Sequence, residues 1–236
     1  MNKLFFFHLP KAGGTSLSAA LAANFDASRV APIIENDIQG HLDNEGNYKP
    51  FAGYDFYSGH YGLDIFAAVG DGHLSVTNFR HPVERVYSLY RYFREIELDE
   101  TTLNQRHYAA VKAAKSSSLE GFVTSKDEVV RTYTSNQQAR QLTGSPWDLQ
   151  TDISTAAAHS AIDQMSCFYV CEYPEPSQEW FEDVLGVQAI TRLNVTTAPR
   201  RGPEISVSSA AIIERNELDL ALYEHAVSRL HDRCRT

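Results

Sequence analysis

The stretch that most constrains this chain lies near its start, where Leu4-Phe5-Phe6-Phe7-His8-Leu9 runs directly into Pro10-Lys11-Ala12-Gly13-Gly14-Thr15-Ser16. A short, almost wholly apolar run closed by proline reads as a strand covered on both faces, the central strand of a parallel sheet. Leu17, Ala19, Ala20, Leu21, Ala22 and Ala23 follow the loop and are strong helix formers. Two glycines let the loop backbone fold around a small group and aim its N–H donors inward. The helix start adds unsatisfied amides and a positive partial charge, Lys11 adds a full charge, and Thr15 and Ser16 add hydroxyls. Such a loop is shaped for a phosphate or sulfate group; the alternative is a β-turn carrying a solvated lysine. It is not the Walker A pattern, because the lysine precedes the glycines.

The remaining punctuation predicts alternating strands and helices. Strands are expected at Tyr54–Tyr57, ending at Ser58-Gly59-His60, and at His73–Phe79, Cys167–Val170 and Gln188–Leu193. Pro82 is placed to open a helix over Val83–Ile96, and further helices are expected around 103–115, 119–124, 129–142, 151–164, Glu175–Leu185 and Ser208–Leu230. Residues 36–53 read as a long polar connection. The expected fold is α/β: a single P-loop-type three-layer domain over 1–236, with a central parallel sheet flanked by helices.

Composition narrows the function classes. Lys and Arg total 21 against 30 Asp and Glu, a net charge of -9, which argues against gripping a long polyanion such as nucleic acid. It leaves room for one small anion in a local basic pocket. The cysteines, Cys167, Cys171 and Cys234, are odd in number and have no fourth partner at zinc-finger spacing, so no metal is expected. The Leu4–Leu9 run falls far short of the ~20 apolar residues that cross a bilayer, and no secretory signal is read. A reduced, cytoplasmic protein without a membrane span is the expectation. The Asn194-Val195-Thr196 sequon carries no meaning in that setting.

A second element carries charge. Arg80 ends the expected third strand in Val76-Thr77-Asn78-Phe79-Arg80-His81-Pro82-Val83-Glu84-Arg85, and Ser88 lies about two helical turns further on. An arginine there presents a fork suited to phosphate. Arg91 and Arg94 are read as a solvated helix face.

Together, the loop His8-Leu9-Pro10-Lys11-Ala12-Gly13-Gly14-Thr15-Ser16 and the Arg80–Ser88 segment resemble the 5′-phosphosulfate and 3′-phosphate binding elements of sulfotransferases using 3′-phosphoadenosine 5′-phosphosulfate (PAPS). The likeness is to the carbohydrate branch, the 2-O-sulfotransferases and bacterial relatives. Asn136-Gln137-Gln138-Ala139-Arg140-Gln141-Leu142-Thr143-Gly144, Phe168–Glu172 with Trp180-Phe181, and the stretch from Arg192-Leu193-Asn194 to Tyr223 resemble further segments of that family in the same order. His81 stands where the family commonly has Asp, so no role of that Asp carries over.

The resemblance implies sulfuryl transfer from PAPS to an acceptor hydroxyl, most simply of a sugar, with no metal. Lys11, Ala12, Gly13, Gly14, Thr15 and Ser16 would hold the 5′ end. Arg80 and Ser88, with Arg200 or Arg201, would hold the 3′-phosphate; a solvated basic loop is the other reading of Arg200-Arg201. His60 matches the position of the family's general base, against a strand-end histidine bonded to backbone; Asp64 and Glu172 are the carboxylate alternatives. His8 is read as a packing or orienting residue. Arg140 and Tyr92 are candidate acceptor contacts, and residues 36–57, 97–130 and 143–165 are the expected acceptor-facing insertions. The rival readings are a P-loop small-molecule kinase using ATP and Mg²⁺, and a binding module that kept the nucleotide site without chemistry.

Overall fold

The computed structural model describes residues 2–35, 37–44, 46–187 and 203–235, with backbone only over 203–208. Strand β1 (Leu4–Phe7) is followed by α1 (Gly14–Ala22), the short helix α2 (Ile38–Asn44), β2 (Phe56–Gly59), α3 (Leu63–Val69), β3 (Leu74–Phe79) and α4 (Pro82–Glu95). A run of short helices comes next: α5 (Glu100–Leu103), α6 (Ala109–Ser116), α7 (Leu119–Val123), α8 (Glu128–Thr134), α9 (Gln137–Thr143) and α10 (Thr155–Asp163). The chain then forms β4 (Cys167–Val170), α11 (Pro174–Leu185), α12 (Pro203–Arg215) and α13 (Glu217–Arg233).

The four described strands form one sheet, all parallel, in the order β2-β1-β3-β4. Successive strand residues face opposite sides, and Leu4, Phe5, Phe6 and Phe7 are each at most 1% exposed, so both faces of β1 are covered by helices. The expected three-layer α/β architecture with β1 at its centre is what the chain adopts. The expected strand at Gln188–Leu193 and the Arg200-Arg201 loop lie outside the described residues.

Because the strands are parallel, their carboxyl ends share one edge of the sheet. The chain passes from β1 outward to β2 and then returns to β3 on the other side, so the order reverses between β1 and β3. Ligands of open α/β sheets bind at that reversal, outside the carboxyl ends. A second hydrophobic cluster, separate from the sheet core, joins α4 to α6, α7, α8 and α12 through Val86, Leu89, Phe93, Val111, Phe122 and Val130. The helices α6, α7 and α8 thus form a layer packed on α4.

Two expected helices are divided. The stretch 129–142 breaks at Asn136, whose φ of 45° lies in the left-handed region, and Ser208–Leu230 breaks at Asn216, the piece before the break beginning at Pro203. The two asparagines clasp each other's elements: Asn136 Oδ1 accepts from the amides of Leu218 and Asp219, and Asn216 Oδ1 accepts from the amide of Asn136. Asparagine tolerates such breaks because its short side chain supplies the hydrogen bonds the backbone forgoes.

Candidate active site

Four segments meet at the carboxyl edge of the sheet: the loop after β1, His60 after β2, Arg80 and the face of α4 after β3, and Cys171-Glu172 after β4. They border one cleft of about 920 Å³ whose walls include Lys11, Gly13, Gly14, Thr15, Ser16, His60, Arg80 and Ser88. Of the expected nucleotide-binding residues that are described, only Ala12 is absent from the walls; it is fully buried.

The loop is held in an unusual conformation. Lys11 has a φ of 64° and Gly13 of 79°, both left-handed. For lysine that conformation costs roughly 1–2 kcal/mol and must be imposed by its surroundings. Arg80 Nη1 donates to the Lys11 carbonyl at 3.2 Å. Asn78, fully buried on β3, does most of the rest: its Nδ2 donates to the carbonyls of Leu9 and Ala12 at 3.1 and 2.7 Å, and its Oδ1 accepts from the Leu9 amide at 2.9 Å. The Cys171 thiol also donates to the Ala12 carbonyl. The helix that follows starts at Gly14 with no side-chain cap, and its first residues, Gly14, Thr15 and Ser16, line the cleft.

Asn78→Ala removes all three of its bonds from a buried site. We expect a loss of about 3 kcal/mol, read as a fall of roughly 6–12 °C in melting temperature. A melting temperature within 2 °C of wild type would mean that the loop does not depend on this clamp.

His8 and His60 extend from the paired ends of β1 and β2, with ring centroids 5.1 Å apart and nearly perpendicular. His8 stacks on Phe6, and Gly14 lies so close that an added Cβ would sit 2.2 Å from the His8 ring. Gln141 Nε2 ties the two strand ends together by donating to the carbonyls of His8 and Tyr61. Burial, then the charges of His60 and Lys11, lower the His8 pKa to about 3 from an ordinary value of 6.5. The imidazole is neutral in the folded protein, whereas the unfolded chain protonates it below pH 6.5. Its contribution to stability is therefore complete above pH 6.5 and drains away as the pH falls toward 3, by at most about 5 kcal/mol. His8→Gln should flatten the stability–pH curve across that window in urea titrations; an unchanged slope would show that another group causes it.

The Lys11 ammonium rests 3.9 Å from the centroid of the Tyr92 ring. Burial, then Arg80, lowers its pKa, with Glu95 opposing. Arg80 is fixed from both ends. Its guanidinium reaches Lys11 and lies 3.6 Å from Glu84, while Gln138 Oε1 accepts from its amide and Gln138 Nε2 donates to its carbonyl. Gln138 is held in turn by Asp219, which accepts from the amides of Gln138 and Ala139 at the start of α9. His81 acts as the N-cap of α4, its Nδ1 accepting from the Val83 amide. That is a task a capping carboxylate also performs, so histidine at this position keeps the helix start intact.

Several expectations are corrected. Arg140 does not face an acceptor: it is 5% exposed, off the cleft, and its guanidinium donates to the carbonyls of Thr132, Ser135 and Pro146. Asp64 is also off the cleft, held by the Ile65 amide, with its pKa raised by burial. Glu172 lines the cleft but accepts from the His81 amide at 3.1 Å. Among the expected acceptor-facing insertions, 36–57 contributes Asp37 and 97–130 contributes His107, Tyr108, Ala110 and Val111, whereas 143–165 contributes nothing to the walls. Arg94 is exposed on α4, as expected, and donates to the Ala114 carbonyl, while Arg91 is half-buried on the cleft wall, 3.7 Å from Glu95. His41, which has no partner legible in the sequence, lies 3.5 Å from the buried carboxylate of Glu35, which also accepts from Trp147 Nε1.

Compared with models of protein families the chain matches none, and no curated protein matches it. Among the described residues, no helix is long and apolar enough to cross a membrane.

Proposed function

We propose that the protein is a sulfotransferase that moves the sulfuryl group of PAPS to an acceptor hydroxyl. The observation that carries this reading is convergence: Lys11, the uncapped start of α1, Arg80, Ser88 and His60 come from separate segments and face one cleft at the reversal of strand order. The likeness of the loop and the Arg80–Ser88 segment to sulfotransferase elements supports the same reading.

The residues divide the work as follows. Lys11 and the amides of Gly13, Gly14, Thr15 and Ser16 neutralise charge on the 5′-phosphate as it leaves. Arg80 and Ser88, on one strand end and the next helix, hold the 3′-phosphate and set the nucleotide's register. His60 accepts the acceptor's proton as the new O–S bond forms and the bond from sulfur to the phosphate oxygen breaks, releasing adenosine 3′,5′-bisphosphate. His8, neutral beside it, adds no competing charge. A sugar hydroxyl is the first acceptor to try, given the branch of the family that the motifs resemble.

The test is transfer itself. Purified protein with ³⁵S-labelled PAPS and a panel of hydroxyl acceptors should yield labelled acceptor and adenosine 3′,5′-bisphosphate in equal amounts. Transfer of label from γ-³²P ATP in the presence of Mg²⁺, with none from PAPS, would overturn the reading in favour of a kinase.

A further inference from the structure

Tyr92 lies one helical turn beyond Ser88 on α4, and both line the cleft. It is 46% exposed, yet one face of its ring is taken by the Lys11 ammonium at 3.9 Å. Lys11 is also the cation that must meet the nucleotide's 5′ end if the proposed function holds, and the present inference rests on that reading. An ammonium bound to a ring face by its quadrupole gives way to a full negative charge, because the ionic attraction at that distance is larger. Once Lys11 turns to the nucleotide, the ring face it covered is left open at the cleft wall. Ile96, Tyr108, Val111 and Tyr133 are among the walls of the same cleft.

The charges of the cleft add a second constraint. Lys11, Arg80 and Arg91 supply three cations, against four carboxylates from Asp37, Glu84, Glu95 and Glu172. Arg80 and Arg91 already sit near Glu84 and Glu95, at 3.6 and 3.7 Å. With an anionic nucleotide bound, the cleft carries a negative excess that repels a second anion.

We propose that Tyr92 is the acceptor platform: its ring is covered by Lys11 in the free protein, is uncovered when the nucleotide draws Lys11 away, and then stacks a neutral acceptor that presents a flat face. A pyranose ring offers such a face through its C–H groups, and an aryl alcohol offers it through its π-system. Exchange of one ring face between Lys11 and the acceptor makes nucleotide and acceptor binding mutually favourable, each raising the other's affinity by the same factor.

Calorimetry with methyl β-D-glucopyranoside and with 2-naphthol, on the free protein and on protein saturated with adenosine 3′,5′-bisphosphate, tests this. At least one of these neutral compounds should bind the loaded protein about tenfold or more tighter than the free protein, and the tighter of the two identifies the source of the flat face. A sulfated uronic-acid disaccharide should not bind the loaded protein. Tyr92→Phe should keep the coupling, and Tyr92→Leu should lose it while nucleotide affinity stays within about threefold. Lys11→Ala, which uncovers the ring permanently, should let the acceptor bind without nucleotide. Equal acceptor affinity in free and loaded wild-type protein, binding by neither neutral compound, preference for the disaccharide, or coupling that survives in Tyr92→Leu would each overturn the proposal. Failure of adenosine 3′,5′-bisphosphate to bind at all would instead overturn the sulfotransferase reading on which it rests.

Discussion

Replacing Lys11 with alanine is expected to lower kcat/KM for sulfuryl transfer about a thousandfold, or ~4 kcal/mol of transition-state stabilisation. The size follows from the position of the residue: its ammonium is the one full positive charge carried by the loop between β1 and α1, set among uncapped helix amides in a partly buried site. Those amides remain in the variant, so nucleotide binding should weaken but persist. The left-handed φ of 64° at Lys11 allows a control that separates charge from fold. Lys11→Gly relieves the backbone strain and should match or exceed wild-type stability by up to about 1 kcal/mol, yet it should be as inactive as Lys11→Ala. If either variant retained activity within tenfold of wild type, Lys11 would have no part in the chemistry.

His60→Ala is expected to lower turnover by roughly 10²–10⁴ while leaving affinity for adenosine 3′,5′-bisphosphate within twofold. The split is possible because His60 reaches the cleft from the end of β2, whereas Arg80 and Ser88 approach from β3 and α4. The same variant has a second, independent readout. The charge of His60 is one cause of the depressed His8 pKa, so its removal should move the His8 titration upward in an NMR pH series. Loss of nucleotide affinity in parallel with turnover would make His60 a structural or binding residue, and the base would have to be sought elsewhere on the cleft, with Glu172 the next residue to vary.

The parts of this site that are legible in the sequence are those in which local composition alone carries the signal. The apolar run Leu4–Phe7, the paired glycines after it, and Pro82 opening α4 behind a strand fix two strand–loop–helix units, and parallel pairing of β1 with β3 brings both to one edge. Lys11, the loop glycines, Arg80 and Ser88 belong to those two units, and His60 directly follows β2, so each is marked by its immediate neighbours in the chain. What stays hidden is whatever depends on contacts between distant segments. Asn78 reads as one polar residue in a strand, and only the fold shows that it holds a loop some 66 residues away in sequence. Arg140 lies in a segment that resembles the family in order and spacing, but its guanidinium turns inward to backbone carbonyls left over by the breaks around α8 and α9. The division of both long helices at Asn136 and Asn216 arises from a reciprocal clasp across 80 residues, which neither helix propensity nor periodicity can register. The bond from Trp147 to Glu35 spans 112 residues and is equally silent in the sequence.

Under the proposed function, the cleft takes a nucleotide with its 5′-phosphate at the Lys11 loop and its 3′-phosphate at Arg80 and Ser88. Calorimetric titration of the wild-type protein with adenosine 3′,5′-bisphosphate in EDTA, alongside adenosine 5′-monophosphate and ATP with Mg²⁺, tests it most directly. We expect metal-independent binding of the bisphosphate, at least tenfold tighter than the monophosphate, with that preference lost in Arg80→Ala. Equal affinity for the bisphosphate and the monophosphate, or a preference for ATP with Mg²⁺, would contradict it.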